Sequence, residues 1–580
     1  MPMYRLFLGL LLTFFLSSAL FSVWKSPYLP AVHDQYQAER VYEMTRAIAF
    51  GQLPPRYVLD LGFGYGYPLF NYYAPLPYYI GSFFTLLSFD LIFATKIMYS
   101  IGFLLAFLTM FYVTRLTWGT GGALLSAVLY TFAPYHAVQL YVRGSIGELY
   151  AYAFFPLVFL FLREVSQRKL ELKNIFWGAL GTTLFLVSHT ISIYIISLIV
   201  FCFCSVALVY FYLRAKTVLN QKIIKKIFTR TTILLVPYLL TAYFWLPAFG
   251  EISSTQLNLS SGNDVDYNMH FLNLSQIWHS NWGYAGSAAQ SDLDGMSFMA
   301  GKLQIVFGML GAFLFIFMSK RSPHKLEFFS VCTLVLVSTF LTLSASTIIW
   351  QSVPYMNLIQ FPWRMLSYLI FGLAWISGYF AYLVKHQKLT IIPEAFAKPL
   401  FLLFITAIAY QQLFPLRLSL EPKFFRAESY YTKNSAEIRE TMHLRGEVSA
   451  ASSEYLYRNI PPVAQNPQID GVICTMPCRV QYEQYTPDRY TLRILSASAG
   501  QVILAKANFP GFQLFLNGMP ESLFESQGRI GFALNEAGNH FIEIQLLDTP
   551  IRMIANNLSV ATICILIIIF LKSRHVRTKS

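Results

Sequence analysis

Three short stretches of the chain bring together side chains that could handle a phosphate and a hydroxyl. His33-Asp34 opens a polar segment near the start, and Arg56 follows in Leu53-Pro54-Pro55-Arg56-Tyr57. Tyr141-Val142-Arg143-Gly144-Ser145-Ile146-Gly147-Glu148 sets a guanidinium and a carboxylate five positions apart, and Gln360-Phe361-Pro362-Trp363-Arg364 supplies another guanidinium. A carboxylate at Asp34 could take a proton from a hydroxyl nucleophile or hold a metal ion. Arg143 and Arg364 offer planar donor forks that fit a phosphate. Glu148 could serve a metal or an acceptor.

Plainer roles compete with each of these. Asp34 fits the N-cap of a helix running from Gln35 to about Phe50 and stopped by Gly51, with Gln37 completing a pair of the capping-box kind. Arg143 with Glu148, and Trp363 with Arg364, read equally as anchors at a membrane interface. His189 reads as an interfacial residue. Asp264, Asp266 and His270 are spaced like ligands but sit in a polar loop. The alternating glycines Gly62, Gly64 and Gly66 lack the following helix start with a lysine that a phosphate cradle needs, which leaves loop flexibility. No Walker A loop, strand-borne GxGxxG, HExxH or GxSxG is present, so nucleotide-driven and serine-hydrolase chemistry lose their usual support.

The elements that must position these residues are membrane spans. Of 580 residues, 55% are hydrophobic and only 12% charged, about half the charge a soluble domain carries. The net charge of +14 is gathered in short loops between apolar runs, where it sets topology and does not signal nucleic acid. The runs are 6–24, 94–114, 121–135, 149–163, 175–213, 229–249, 301–318, 326–344, 364–384, 399–416 and 552–571. The first is read as an uncleaved span, and the run 175–213 is too long for one span and is split near His189, giving about twelve. Residues 75–93 are read as a reentrant or interfacial helix, because counting them as a span would put the basic loop 163–174 outside. With that choice the basic loops 214–230 and 319–325 and the tail beyond Leu571 fall inside, as do both termini. The loop 250–300, which has no Lys or Arg but carries Glu251, Asp264, Asp266, Asp292 and Asp294, falls outside.

The expected fold is therefore a polytopic α-helical membrane protein with a C-terminal extracytoplasmic β-sandwich-like domain. Residues 1–416 form the transmembrane domain, with outer loops 25–93, 136–148, 250–300 and 345–363. Residues 417–550 form the β domain, and 551–580 the last helix and a basic cytoplasmic tail. The β reading rests on Val502, Leu504 and Ala505, on Gln513 to Leu516 running into Asn517-Gly518, and on Phe541, Ile542, Ile544 and Leu546. Cys474 and Cys478 lie in this polar region, where a local disulfide can form if it is outside. The other four cysteines lie in apolar runs and read as packing residues.

These residues resemble a family. HDQYQAERVYEMTRAIAFGQLPPRY (33–57) followed by GYGYPLFNYYAPLPYYIGSFF (64–84) is similar to the GT-C superfamily of membrane glycosyltransferases. More narrowly, it is similar to bacterial membrane proteins labelled 6-pyruvoyl-tetrahydropterin synthase-related and to YfhO-like proteins. YVRGSIGELYA, DGMSFMAGKLQIVFG, QFPWR, NFPGFQLFLNG and EAGNHFIEIQLLDTP fit the same pattern, so the resemblance covers nearly the whole chain. No zinc site of the soluble pterin enzymes accompanies the pterin label. The resemblance implies a GT-C-like fold in a bacterial inner membrane and transfer of a sugar from a polyprenyl-phosphate donor to an extracytoplasmic glycan, lipid or protein. Asp34 takes the catalytic place in the first loop. Arg143, Glu148, Arg364, Arg56 and His33 bind substrate or phosphate. Many members carry a pair of acidic residues where this chain has His33-Asp34, and no DxD stands near Glu148, so a divalent metal on Asp34 and Glu148 stays open. The rival readings are a transporter or flippase of lipid-linked sugars and a non-catalytic membrane assembly protein.

Overall fold

A computed structural model of the chain describes residues 9, 13–14, 16–21, 23–25, 27–29, 32–167, 169–214, 221–257, 266–284, 286–287, 295–318, 324–386, 403, 406–407, 410, 434–445, 455–460 and 471–577. The apolar run 399–416 falls almost wholly outside the described residues, as do Lys216, Asp264, Asp292, Asp294, Lys320 and Arg321. Among the described residues, five helices are long and apolar enough to cross a membrane: Leu91–Thr131, Ile146–Ser166, Lys325–Thr342, Pro362–Leu383 and Pro550–Leu571. Ile224–Leu240 and Ala242–Gly250, bent by 74° at their junction, make a sixth if counted as one span. Thr190–Cys202 and Lys302–Met318 are apolar but shorter. The chain is thus a helical membrane protein with antiparallel sheets near its C-terminus.

The runs 94–114 and 121–135 form one element, Leu91–Thr131, broken at Gly119 (φ 69°, ψ −176°). The run 175–213 is interrupted at Val187–His189, between the helices Leu172–Leu186 and Thr190–Arg214. Residues 76–86 make an 11-residue helix, about 16 Å long and too short to span a bilayer.

The chain divides into two compact units. The first comprises Met1–Gln35, Lys96–Arg230 and Ser261–Thr432. Its helices approach closely through paired glycines. A Cβ at Gly181 would lie 2.2 Å from Leu157 Cβ, and one at Gly178 2.7 Å from Phe161 Cα. These glycines seat Leu172–Leu186 against Ile146–Ser166, the helix that begins beside Glu148. Gly308 and Gly311 do the same for Lys302–Met318 against Leu373 and Ile376 of the helix Leu366–His386. Small residues at such spacing let backbones meet where lipid supplies no hydrophobic drive. Trp118 Nε1 donates to Trp375 O at 2.8 Å, tying Leu91–Thr131 to the same helix.

The second unit comprises Tyr36–Thr95, Thr231–Ser260 and Lys433–Ser580. Its centre is a sandwich of nine strands: β1 (Val472–Cys474), β2 (Cys478–Thr486), β3 (Arg489–Ser496), β4 (Gly500–Ala507), β5 (Phe512–Leu516), β6 (Met519–Glu521), β7 (Phe524–Ser526), β8 (Arg529–Leu534) and β9 (Gly538–Leu546). They form antiparallel sheets in the orders β1-β4-β8-β7 and β2-β3-β9-β5-β6. Alternate residues point inward, so Tyr490, Leu492, Ile494, Val502, Leu504, Ile530, Phe532, Ile542 and Ile544 make one core. Asn517 (φ 50°) and Gly518 (φ 83°) make the tight β5–β6 turn, as the Asn-Gly pair predicts. Cys474 and Cys478 form a disulfide joining β1 to β2.

The segment following Tyr36 belongs to this unit. Its helix runs Gln37–Ala49 with Tyr36 at the N-cap and no side-chain cap, so the capping role expected of Asp34 is not seen. Tyr57 is fully buried, stacked on Phe509 at 5.9 Å and edge-on to Phe512 at 5.4 Å. Lys506 Nζ donates to Gly64 O at 2.7 Å, and Ala507 N to Tyr65 O at 2.8 Å. The glycine-rich loop is thus bound to the sandwich.

Candidate functional site

In the first unit, a short helix Pro134–Val138 runs into a π-helical turn, Gln139–Arg143, which Gly144 ends with φ 61°. π-Turns are rare and cluster at functional sites. Gly144 is required on two counts: its left-handed φ, and a Cβ there would meet Val32 Cγ2 at 2.3 Å. Val32 leads directly into His33-Asp34, whose backbone pairs with the π-turn. His33 N donates to Val142 O at 2.8 Å and Asp34 N to Arg143 O at 2.9 Å. Residues more than a hundred positions apart are thereby held side by side.

The helix Ile146–Ser166 then carries Glu148 in its first turn. Glu148 is shared by two arginines. Arg143 Nη2 donates to Oε1 at 2.9 Å and Nη1 to Oε2 at 2.5 Å, while Arg364 Nε donates to Oε1 at 2.7 Å. Tyr135 Oη reaches Oε2 at 3.5 Å, and His189 Nε2 lies 4.0 Å from Oε1. All three charged residues are buried, at 9% exposure for each arginine and 6% for Glu148. Flat rings support the guanidinium groups: Arg143 lies 4.5 Å over Trp363, and Arg364 4.8 Å over Phe361. Phe361 and Trp363 stack on each other at 4.7 Å. Arg364 also donates to Ile359 O at 2.5 Å and to Gln360 Oε1 at 3.3 Å.

Burial opposes charge on Arg143, but Glu148 foremost, with Tyr135 and Asp34, raises its pKa above the ordinary value, so it stays cationic. Burial lowers the pKa of His33, the Tyr284 carbonyl works against that, and Arg143 lowers it further, which favours neutral imidazole. His33 Nε2 lies 2.7 Å from Tyr284 O. A carbonyl can only accept, so Nε2 carries the proton and Nδ1 of the neutral ring is an acceptor.

Beside this cluster lies a small cavity of about 20 Å³, room for about one water. Glu148, His189, Arg364, Ser192, Ser367 and Tyr368 give it a polar end, and Tyr152, Phe155, Phe185 and Ile195 an apolar wall. Polar groups that converge beside apolar side chains are a feature that ligand sites share. Among the described residues, no group of three His, Cys, Asp or Glu side chains is placed to hold a metal ion. The donor set does not suit one either: both oxygens of Glu148 are engaged by guanidinium groups, whose charge repels a cation.

The structure thus groups His33, Asp34, Arg143, Glu148 and Arg364 in one unit. Arg56 belongs to the second unit, in a cluster of its own. It donates to Asn71 Oδ1 at 3.0 Å, Tyr243 O at 3.1 Å and Asn556 Oδ1 at 3.0 Å, and its Nε lies 3.7 Å from Asp548. Burial, then the neighbouring Arg552, lowers its pKa to about 10. Sequence reading passed over Tyr135, Ser192, Ser367 and Tyr368. They come from three separate helices and carry no local signature.

No protein-family model matches the chain, and no curated protein matches it. Among solved structures, the crystal structure of ArnT from Cupriavidus metallidurans bound to undecaprenyl phosphate aligns with 75% of this chain and 68% of its own, at 12% identity and a TM-score of 0.37. A score that low carries no argument about chemistry.

Proposed function

We propose that this protein is a GT-C-like glycosyltransferase that moves a sugar from a polyprenyl-phosphate donor to an extracytoplasmic glycan, lipid or protein. One observation carries the reading: backbone pairing holds Asp34 within electrostatic reach of Arg143, whose guanidinium shares Glu148 with Arg364. Asp34 takes the proton from the acceptor hydroxyl as the new glycosidic bond forms. The bond from the sugar carbon to the phosphate oxygen breaks, and the charge left on the phosphate is met by Arg143 and Arg364. Glu148 keeps both arginines oriented, and His33, with an acceptor nitrogen, takes a sugar hydroxyl. No metal enters the step.

The reading keeps a topology of about twelve spans, with the β domain and the site on the outer face of a bacterial inner membrane and both termini inside. It is supported by the loop 250–300, which has acidic residues and no Lys or Arg, against the basic loop 214–230. The test is sugar transfer from a polyprenyl-phosphate-linked donor by protein in lipid vesicles. Asp34→Asn is expected to slow transfer by about 100-fold or more with the melting temperature unchanged. Transfer at the wild-type rate would remove Asp34 as the base.

A further inference from the structure

The five-stranded sheet turns one face into the sandwich core and leaves side chains on the other that the core does not use. Across β2, β3 and β9, Tyr482 stands opposite Arg493, and Arg493 opposite Phe541. The adjacent rows place Gln484, Thr491 and Glu543 in line, and Thr486, Arg489 and Gln545. Tyr482 is 47% exposed and Phe541 38%. At a strand spacing of about 4.8 Å, the first row lays its two rings roughly 10 Å apart, a stretch that a short run of linked pyranose rings fills.

The charge on this face is unbalanced. Arg489 pairs with Glu543 at 3.0 Å. Arg493 instead lies 5.8 Å over the Phe541 ring, and Arg479, one row beyond, is exposed. No ion pair among the described residues takes up Arg479 or Arg493. The face carries no lysine, the point charge that a lipid surface draws on, but side-chain amides that can donate and accept together.

We propose that the outer face of this sheet binds an acidic carbohydrate, one bearing carboxylate or phosphate groups. Ring faces at Tyr482 and Phe541 pack against the C–H faces of the sugars, the amides and Glu543 read hydroxyls, and the guanidinium groups of Arg479 and Arg493 take the anionic substituents in their planar forks. The inference stands on the β domain alone and does not rest on the transferase reading.

The full-length protein in detergent is tested for retention on immobilised polygalacturonate, dextran phosphate and unmodified dextran. Retention by at least one acidic polymer and not by dextran is expected. Tyr482→Ala with Phe541→Ala should weaken it about tenfold and Arg493→Gln about fivefold. Arg458→Gln, the same charge loss at an exposed residue outside the sheet, should change it less than about twofold. The chain carries a net charge of +14, so an equal effect of Arg458→Gln would mean general attraction and overturn the proposal. So would retention on no polymer, equal retention on plain dextran, unchanged retention in the aromatic variant, or capture by anionic lipid vesicles through the same residues. No sugar transfer by the unmodified protein, with acidic-polymer retention intact, would leave this proposal standing and the transferase reading not.

Discussion

Each compact unit contains a buried glutamate served by arginine, and the two are built differently. In the second unit Glu251 is saturated: Arg552 binds Oε2 through Nε at 3.0 Å and Nη2 at 2.9 Å, Asn71 donates to the same oxygen at 2.9 Å, and Thr549 to Oε1 at 2.5 Å. Arg552 is wholly buried, with Phe509 beneath it at 4.7 Å. The groups come from the short helix Leu69–Tyr72, the end of the helix Ala242–Gly250 and the start of the last helix, so the cluster works as a clasp. In the first unit Glu148 holds two arginines, and Glu148 and Arg364 line a cavity. The same residue types close one site and leave the other beside a small cavity. Saturation by one arginine and two neutral donors marks the structural cluster; sharing of one anion by two cations beside a cavity marks the candidate for ligand binding.

Substitution can break or sharpen that contrast. The largest effect is expected at Glu251→Ala, which strands Arg552 in the interior and should cost about 3–5 kcal/mol, read as loss of folded protein on detergent melting. Transfer per folded molecule should persist. A loss well under 1 kcal/mol would mean that water reaches Arg552 and that the clasp is not one. Glu148→Gln should cost less, about 1.5–3 kcal/mol, because the adjoining cavity admits water to the freed guanidinium groups. Its transfer rate should fall far more than its stability, and equal losses would erase the distinction between the clusters. Trp363→Leu removes the ring under Arg143, an interaction of about 0.5–2 kcal/mol. It should raise the donor KM severalfold with kcat little changed.

A further check, within the second unit, is one of pH. Glu43, on the helix Gln37–Ala49, has its pKa raised to about 8 by burial, then by Asp60, against the pull of Arg46. The folded state therefore holds a proton that the unfolded chain releases near the ordinary carboxylate value. Between that value and about 8 the folded state binds more protons, so stability falls as pH rises. Melting temperatures across this window should drop less steeply in Glu43→Gln, and parallel profiles would show that Glu43 does not titrate there.

Much of the frame was legible in the sequence because it rests on local rules. Apolar length marked helices, the Asn517-Gly518 pair marked a hairpin, and the polar setting of Cys474 and Cys478 allowed the disulfide that is found. What escaped depends on distant partners. Asp34 satisfies a capping pattern, yet the helix starts later and the Asp34 backbone pairs with Arg143. Arg56 was grouped with the other arginines by charge type, but its partners Asn71, Tyr243 and Asn556 come from three separate segments. That Glu148 would be shared by two arginines could not be read from either motif alone.

The most direct test of the account is a cryo-electron microscopy structure of the protein in nanodiscs with undecaprenyl phosphate. The account predicts the phosphate within hydrogen-bonding distance of Arg143 or Arg364. A phosphate bound elsewhere, with the Glu148 cluster unchanged and untouched, would contradict it.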